Sequence, residues 1–181
     1  MKLHIRLQHK KSSWLTKPFN SGNFRFWLID NGSLTARLKA RYTDFSVCPM
    51  GLKHAKALTD EPVLLGLKIY QHALIRDVVL MGNNQPVVLA HSVLPYASLR
   101  GAWRGLGKLG NKPLGAALFA NSKVKRTPLE FKKLPRHHPI SLWVAGQVAN
   151  APKVLWARRS VFQLNCARIL VTEIFLEQLL Q

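Results

Sequence analysis

Two long β-rich runs, residues 68–81 and 87–94, flank the pentapeptide GNNQP, and this juxtaposition constrains the fold more than any other feature of the chain. Asparagine and glycine supply the tight-turn chemistry of a β-hairpin. The C-terminal stretch ARRSVFQLNCARILVTEIFL shows the same pattern, two strand-like runs about a four-residue turn, NCAR. Strands that come in hairpins, rather than alternating with long helices, predict an α+β fold with an antiparallel sheet and flanking helices. At 181 residues the chain forms one domain, 1–181, with residues 1–23 as an irregular or partly helical N-terminal extension.

The helical signals are short. Asn31-Gly32 marks a turn, and Ser33 is a good N-cap for a helix from Leu34 to about Ala40. Pro113 suits the first turn of PLGAALF, and residues 96–109 read as a helix weakened by glycines. FSVCPMGLKHAKALTDEPVLLGL starts like a strand and is expected to break at Pro49, Gly51, Pro62 and Gly66. Residues 122–133 contain a strand signal, and residues 135–152 read as an excursion rich in proline and histidine.

Strand alternation then assigns faces. Ile169, Val171, Glu173 and Phe175 share one face of the last strand, and Leu74, Arg76, Val78 and Leu80 share one face of an earlier one. Arg76 and Glu173 therefore both project among apolar side chains. A charge buried alone costs several kcal/mol, so each requires a partner, a wet cavity or a ligand. Two readings follow. Either the two form a structural ion pair, or they line a pocket in which Arg76 binds a carboxylate and Glu173 handles a hydroxyl or a proton. Asp77 points away from Arg76 to the opposite face. Arg158 and Arg159 open the next strand, one to each side, and both a pocket role for one of them and a surface role stay open.

Composition sharpens the question, because the chain has 27 Lys and Arg against 8 Asp and Glu, a formal charge of +19. Such a chain attracts anions, whether nucleic acid, lipid, acidic protein or a small polyanion. Its basic patches are short and carry few interleaved aromatics. With two cysteines, a disulfide framework is not expected; the start MKLHIRLQHKK is basic, with no acid before Asp30, which leaves an organellar transit segment open, and the cytoplasm is the simpler location. No apolar run approaches the roughly 18 residues of a membrane span. GLGKLG matches a dinucleotide-binding fingerprint but follows no strand. The seven histidines lack metal-ligand spacing.

The segments WLIDNGSLTARLK, IRDVVLMGNNQPVVLAHSVLP, KLGNKPLGAALF and WARRSVFQLNCARILVTEIFL, in that order, resemble the chorismate pyruvate-lyase family. The resemblance implies a single α+β domain enclosing a sequestered site. It also implies conversion of chorismate to 4-hydroxybenzoate and pyruvate on the way to ubiquinone, by a monomer without metal or organic cofactor. The family's ligand-contacting positions fall on Leu34, Arg76, Leu114 and Glu173, with Arg76 and Glu173 in the catalytic roles. Arg76 and two backbone N–H groups would hold the ring carboxylate, and Glu173 would reach the ring hydroxyl. Leu34 stands where the family often has methionine. Two rivals remain. A ligand sensor of the same fold would normally be fused to a DNA-binding module. A basic nucleic-acid-binding protein would leave Arg76 and Glu173 unexplained.

Overall fold

A computed structural model describes residues 14–148 and 152–181. Residues 1–13 of the expected N-terminal extension, and residues 149–151 of the expected excursion, lie outside that description. Seven strands form one antiparallel sheet: β1 Phe45–Lys56, β2 His72–Gly82, β3 Gln85–Leu94, β4 Lys125–Arg126, β5 Glu130–Pro135, β6 Val154–Leu164 and β7 Ala167–Phe175. Their order is β1-β2-β3-β7-β6-β4, with β5 also paired to β6.

The two predicted hairpins form the centre of the sheet. β2 turns into β3 through Asn83 and Asn84, whose φ angles of +49° and +62° match the twist of a tight two-residue turn. Gly82 precedes it because a Cβ there would lie 2.5 Å from the Tyr42 ring. β6 turns into β7 through Asn165 and Cys166 alone, so the expected four-residue turn is shortened by two and Leu164 faces Ala167. β1 also departs from expectation, running through Pro49 and Gly51 without breaking. It is an edge strand whose register shifts between those two residues, and an edge or a bulge tolerates the missing proline N–H.

The helices are α1 Arg25–Leu28, α2 Leu34–Arg41, α3 Pro62–Leu65, α4 Tyr96–Arg100, α5 Leu114–Phe119 and α6 Pro139–Ala145. Ser33 caps α2 by accepting from the Ala36 N–H. The helix expected over 96–109 stops at Arg100, and Gly105 takes a φ of +95° before a short 3-10 turn. α6 falls inside the expected excursion, started by Pro139 and capped by the His138 ring, which accepts from Ile140 N–H. Leu34, Leu38 and Trp27 pack on Val78, Leu80 and Phe175, while Leu114 and Leu118 pack on Leu74, Phe162 and Ile169. Ile140 and Val144 cover Val79, Leu89 and Ile174, and Leu65 covers Ile75 and Val161, on the opposite face. The sheet is thus buried on both sides, which explains the nearly unbroken burial of β2, β3 and β6.

Charge crosses that buried sheet. On the α6 face, Asp77, His91, Thr172, Arg159 and Glu130 stand opposite one another in successive strands. His91 Nδ1 lies 2.7 Å from Asp77 Oδ1. Its Nε2 lies 3.3 Å from Glu61 Oε1, an ion pair too poorly aligned to be a hydrogen bond. Arg159 donates to Glu130 and Asp60, each at 2.7 Å. Asp77 faces away from Arg76, as alternation predicted.

Burial alone would push the His91 imidazole down, but its hydrogen bond to Asp77 and the charge of the two carboxylates raise it to about 9. A pKa raised above its unfolded value of about 6.5 stabilises the fold fully below that pH, and the contribution disappears as pH rises through about 9. The stability gap between wild type and His91→Gln, measured by urea denaturation, is therefore expected to be on the order of 3 kcal/mol near neutrality. It should shrink steadily toward pH 10, and a gap that ignores pH would remove the charged imidazole from the account.

Candidate active site

The face under α2 and α5 carries a narrow pocket lined by Leu34, Thr35, Arg76, Ser92, Leu114, Gly115, Phe162, Val171 and Glu173, among others. Its free volume is about 40 Å³, room for a few waters, within about 500 Å³ of lined space that includes the mouth. All four residues singled out from the sequence meet here. Arg76 and Glu173 come up from the sheet, whereas Leu34 and Leu114 come down as the first residues of α2 and α5. The two helix starts converge because Gly115 lacks a side chain: a Cβ would stand 3.0 Å from Thr35 Oγ1. The first amides of both helices have no intrahelical acceptor, so they are open to an anion.

Arg76 is 5% exposed and faces no carboxylate among the described residues. Its Nη2 donates to the carbonyl oxygens of Gly110 and Lys112, at 2.9 and 3.0 Å. Burial holds its pKa below the usual arginine value, and no nearby acid opposes that. The structural Arg76–Glu173 pair weighed from the sequence does not form.

Glu173 pairs instead with Arg158, whose Nε donates to Oε2 at 2.5 Å. The two stand directly opposite across β6 and β7. Arg158 is fully buried, and its Nη1 donates to the carbonyl oxygens of Trp27, Leu28 and Asp30 at 2.8, 3.3 and 2.6 Å. One guanidinium thereby fixes the carboxylate and the loop that leads into α2. A surface role for the pair Arg158-Arg159 is excluded, since both are buried in the middle of β6. Sequence reasoning left Arg158 open and missed Ser92 and Gly115. The signal for Arg158 was its position opposite Glu173, legible only once the turn is counted as two residues.

Comparison with known proteins places this geometry. The chorismate lyase family model matches residues 11–181. The chain belongs to that family. A protein of Thiobacillus denitrificans named "Probable chorismate pyruvate-lyase" is 44% identical over 168 residues, covering 92% of this chain and 90% of its own. One of the same name from Nitrosomonas eutropha is 46% identical over 165 residues, covering 91% and 93%. Among solved structures, the effector domain of PhnF from Mycobacterium smegmatis superposes with a TM-score of 0.53 at 16% identity, over 81% of this chain and 90% of that one. A GntR-family transcriptional regulator from Bacillus cereus gives 0.54 at 13%, over 74% and 92%. At that identity the likeness is one of fold.

Replacing Arg158 by methionine strands Glu173 without its cation and releases three carbonyl groups. Removing one partner of a buried pair typically destabilises by about 3–5 kcal/mol. Chemical denaturation of Arg158→Met is expected to show a loss in that range. A change below about 1 kcal/mol would mean that the pair is not a structural anchor.

Proposed function

We propose that this chain converts chorismate to 4-hydroxybenzoate and pyruvate, the first committed step toward ubiquinone, as a cytoplasmic monomer needing neither metal nor organic cofactor. The observation that carries the reading is Arg76, a buried cation aimed into an apolar pocket with no acid to neutralise it. A ring carboxylate completes it, received by the guanidinium and the amides of Leu34 and Leu114. Glu173, held by Arg158 and roughly 10 Å across the sheet from Arg76 on the next strand but one, meets the ring hydroxyl at the far end. Family membership and relatives named as chorismate pyruvate-lyases support the same reaction.

The chemistry demands little of side chains. The C3–O bond to the enolpyruvyl group breaks, the hydrogen on C4 is lost, and the ring becomes aromatic. The released enolpyruvate takes up a proton and becomes pyruvate. Holding a dianion in one orientation among apolar walls, with cations placed for its charges, supplies the acceleration.

Mixing the purified protein with chorismate is expected to yield 4-hydroxybenzoate and pyruvate in equal amounts above the spontaneous background, followed by chromatography. Arg76→Ala should weaken binding of both chorismate and 4-hydroxybenzoate by roughly 10- to 100-fold in titration. Unchanged affinity would take the carboxylate away from Arg76. Glu173→Gln keeps an oxygen to accept from Arg158 Nε and should still fold, though less stably, judged by circular dichroism, while turnover falls about 100-fold or more. Wild-type rates in that variant would make Glu173 purely structural.

A further inference from the structure

Arg76, Ser92, Val171 and Ser160 stand opposite one another in β2, β3, β7 and β6, forming one row across the pocket floor. Glu173 and Arg158 occupy the neighbouring row. Above the far end of the first row lies Arg126, from β4. Its Nε donates to Ser160 Oγ at 2.7 Å, and one Nη donates to the Asn31 carbonyl at 3.0 Å. The guanidinium rests against the rings of Phe119 and Phe162, at 5.6 and 5.0 Å from their centroids. Both rings line the pocket.

Arg126 forms no ion pair among the described residues. It is open on its other side to a groove of about 750 Å³, which also carries Lys17 and Arg25 and meets the pocket at Phe119. The row therefore has a cation without an acid at each end, one at Arg76 and one at Arg126. Chorismate has the matching shape. Its ring carboxylate is on C1, while the enolpyruvyl ether is on C3, beside the C4 hydroxyl. With C1 at Arg76 and the hydroxyl at Glu173, the enolpyruvyl carboxylate projects beyond Glu173, away from Arg76 and toward β6 and β4.

Resting on the function proposed above, we infer that Arg126 is the counter-ion of the enolpyruvyl carboxylate and sets the preference for substrate over product. The second carboxylate leaves with pyruvate. 4-Hydroxybenzoate has none, so its hold on the site depends on Arg76, the amides of Leu34 and Leu114, and Glu173, without Arg126. Phe119 and Phe162 support the half-buried guanidinium on their rings while leaving its edge free, so it can meet a planar anion edge-on.

The test compares two ligands in one variant. Arg126→Gln is expected to raise KM for chorismate roughly 10- to 100-fold, while the Kd of 4-hydroxybenzoate moves less than about threefold. Arg126→Lys should recover part of the loss. If Arg126→Gln does not fold, Ser160→Ala serves instead, loosening the Nε anchor and raising KM several-fold with product binding unmoved. Equal losses for both ligands would mark Arg126 as structural and overturn the inference. Wild-type turnover of chorismate with an unaltered KM in Arg126→Gln would overturn it alone. Wild-type protein that does not act on chorismate would overturn the proposed function as well.

Discussion

A sheet covered on both faces has no water to give its central side chains, yet this one carries charge through the middle of every long strand but β1. That combination is the constraint on which the rest of the structure depends. Arg158, Arg159, His91 and Arg76 are all buried, and each buried cation must find a carboxylate, a set of carbonyl oxygens or a ligand. The supply of carboxylates is short. Of the chain's eight, six stand in ion pairs among the described residues: Asp30 with Arg37, Asp77 and Glu61 with His91, Asp60 and Glu130 with Arg159, and Glu173 with Arg158. Acid scarcity and a charged core therefore belong together: most of the few acids present are spent on the buried cations of the sheet.

The two faces resolve the shortage differently. On the α6 face the two cations of the row from Asp77 to Glu130 share four carboxylates, two within the row and two, Asp60 and Glu61, from just before α3. On the α2 face one cation, Arg158, is held by Glu173 and three carbonyl oxygens through Nε and Nη1, while its buried Nη2 has no partner among the described residues. Arg76 has two carbonyl oxygens and no acid. Cations matched by carboxylates rigidify a core and a buried cation without one leaves room for charge, so the first face suits a scaffold and the second is the candidate site.

What the sequence made legible was periodic or local. Period-two alternation put Arg76 and Glu173 on the pocket side and Asp77 on the other, because a strand's faces follow from parity alone. Ser33 and Pro113 announced α2 and α5, because a helix start is set by one or two residues. What stayed hidden depended on register. With NCAR as a four-residue turn, Ser160 faces Glu173; with Asn165 and Cys166 alone, Arg158 does. Two residues of turn length decide which side chain meets the carboxylate. β1 was misread for a related reason: Pro49 forbids a central strand but not an edge, and edge position is a property of the assembled sheet.

The same dependence on assembly explains why Arg126 carried no signal of its own. In the sequence it is one of three basic residues in KVKR, indistinguishable from a solvated surface charge. Only the pairing of β4 with β6 lays it over Ser160 and between two phenyl rings, at the end of the row that begins with Arg76. A net charge of +19 marks the chain as anion-seeking without saying which anion. The choice is made by the arrangement: two arginines without acid partners at opposite ends of one row, and one anchored carboxylate in the row beside it. A monoanion satisfies one end only. On the function proposed above, a dianion with a hydroxyl beside its second charged arm meets all three, and loses one of those contacts in becoming product.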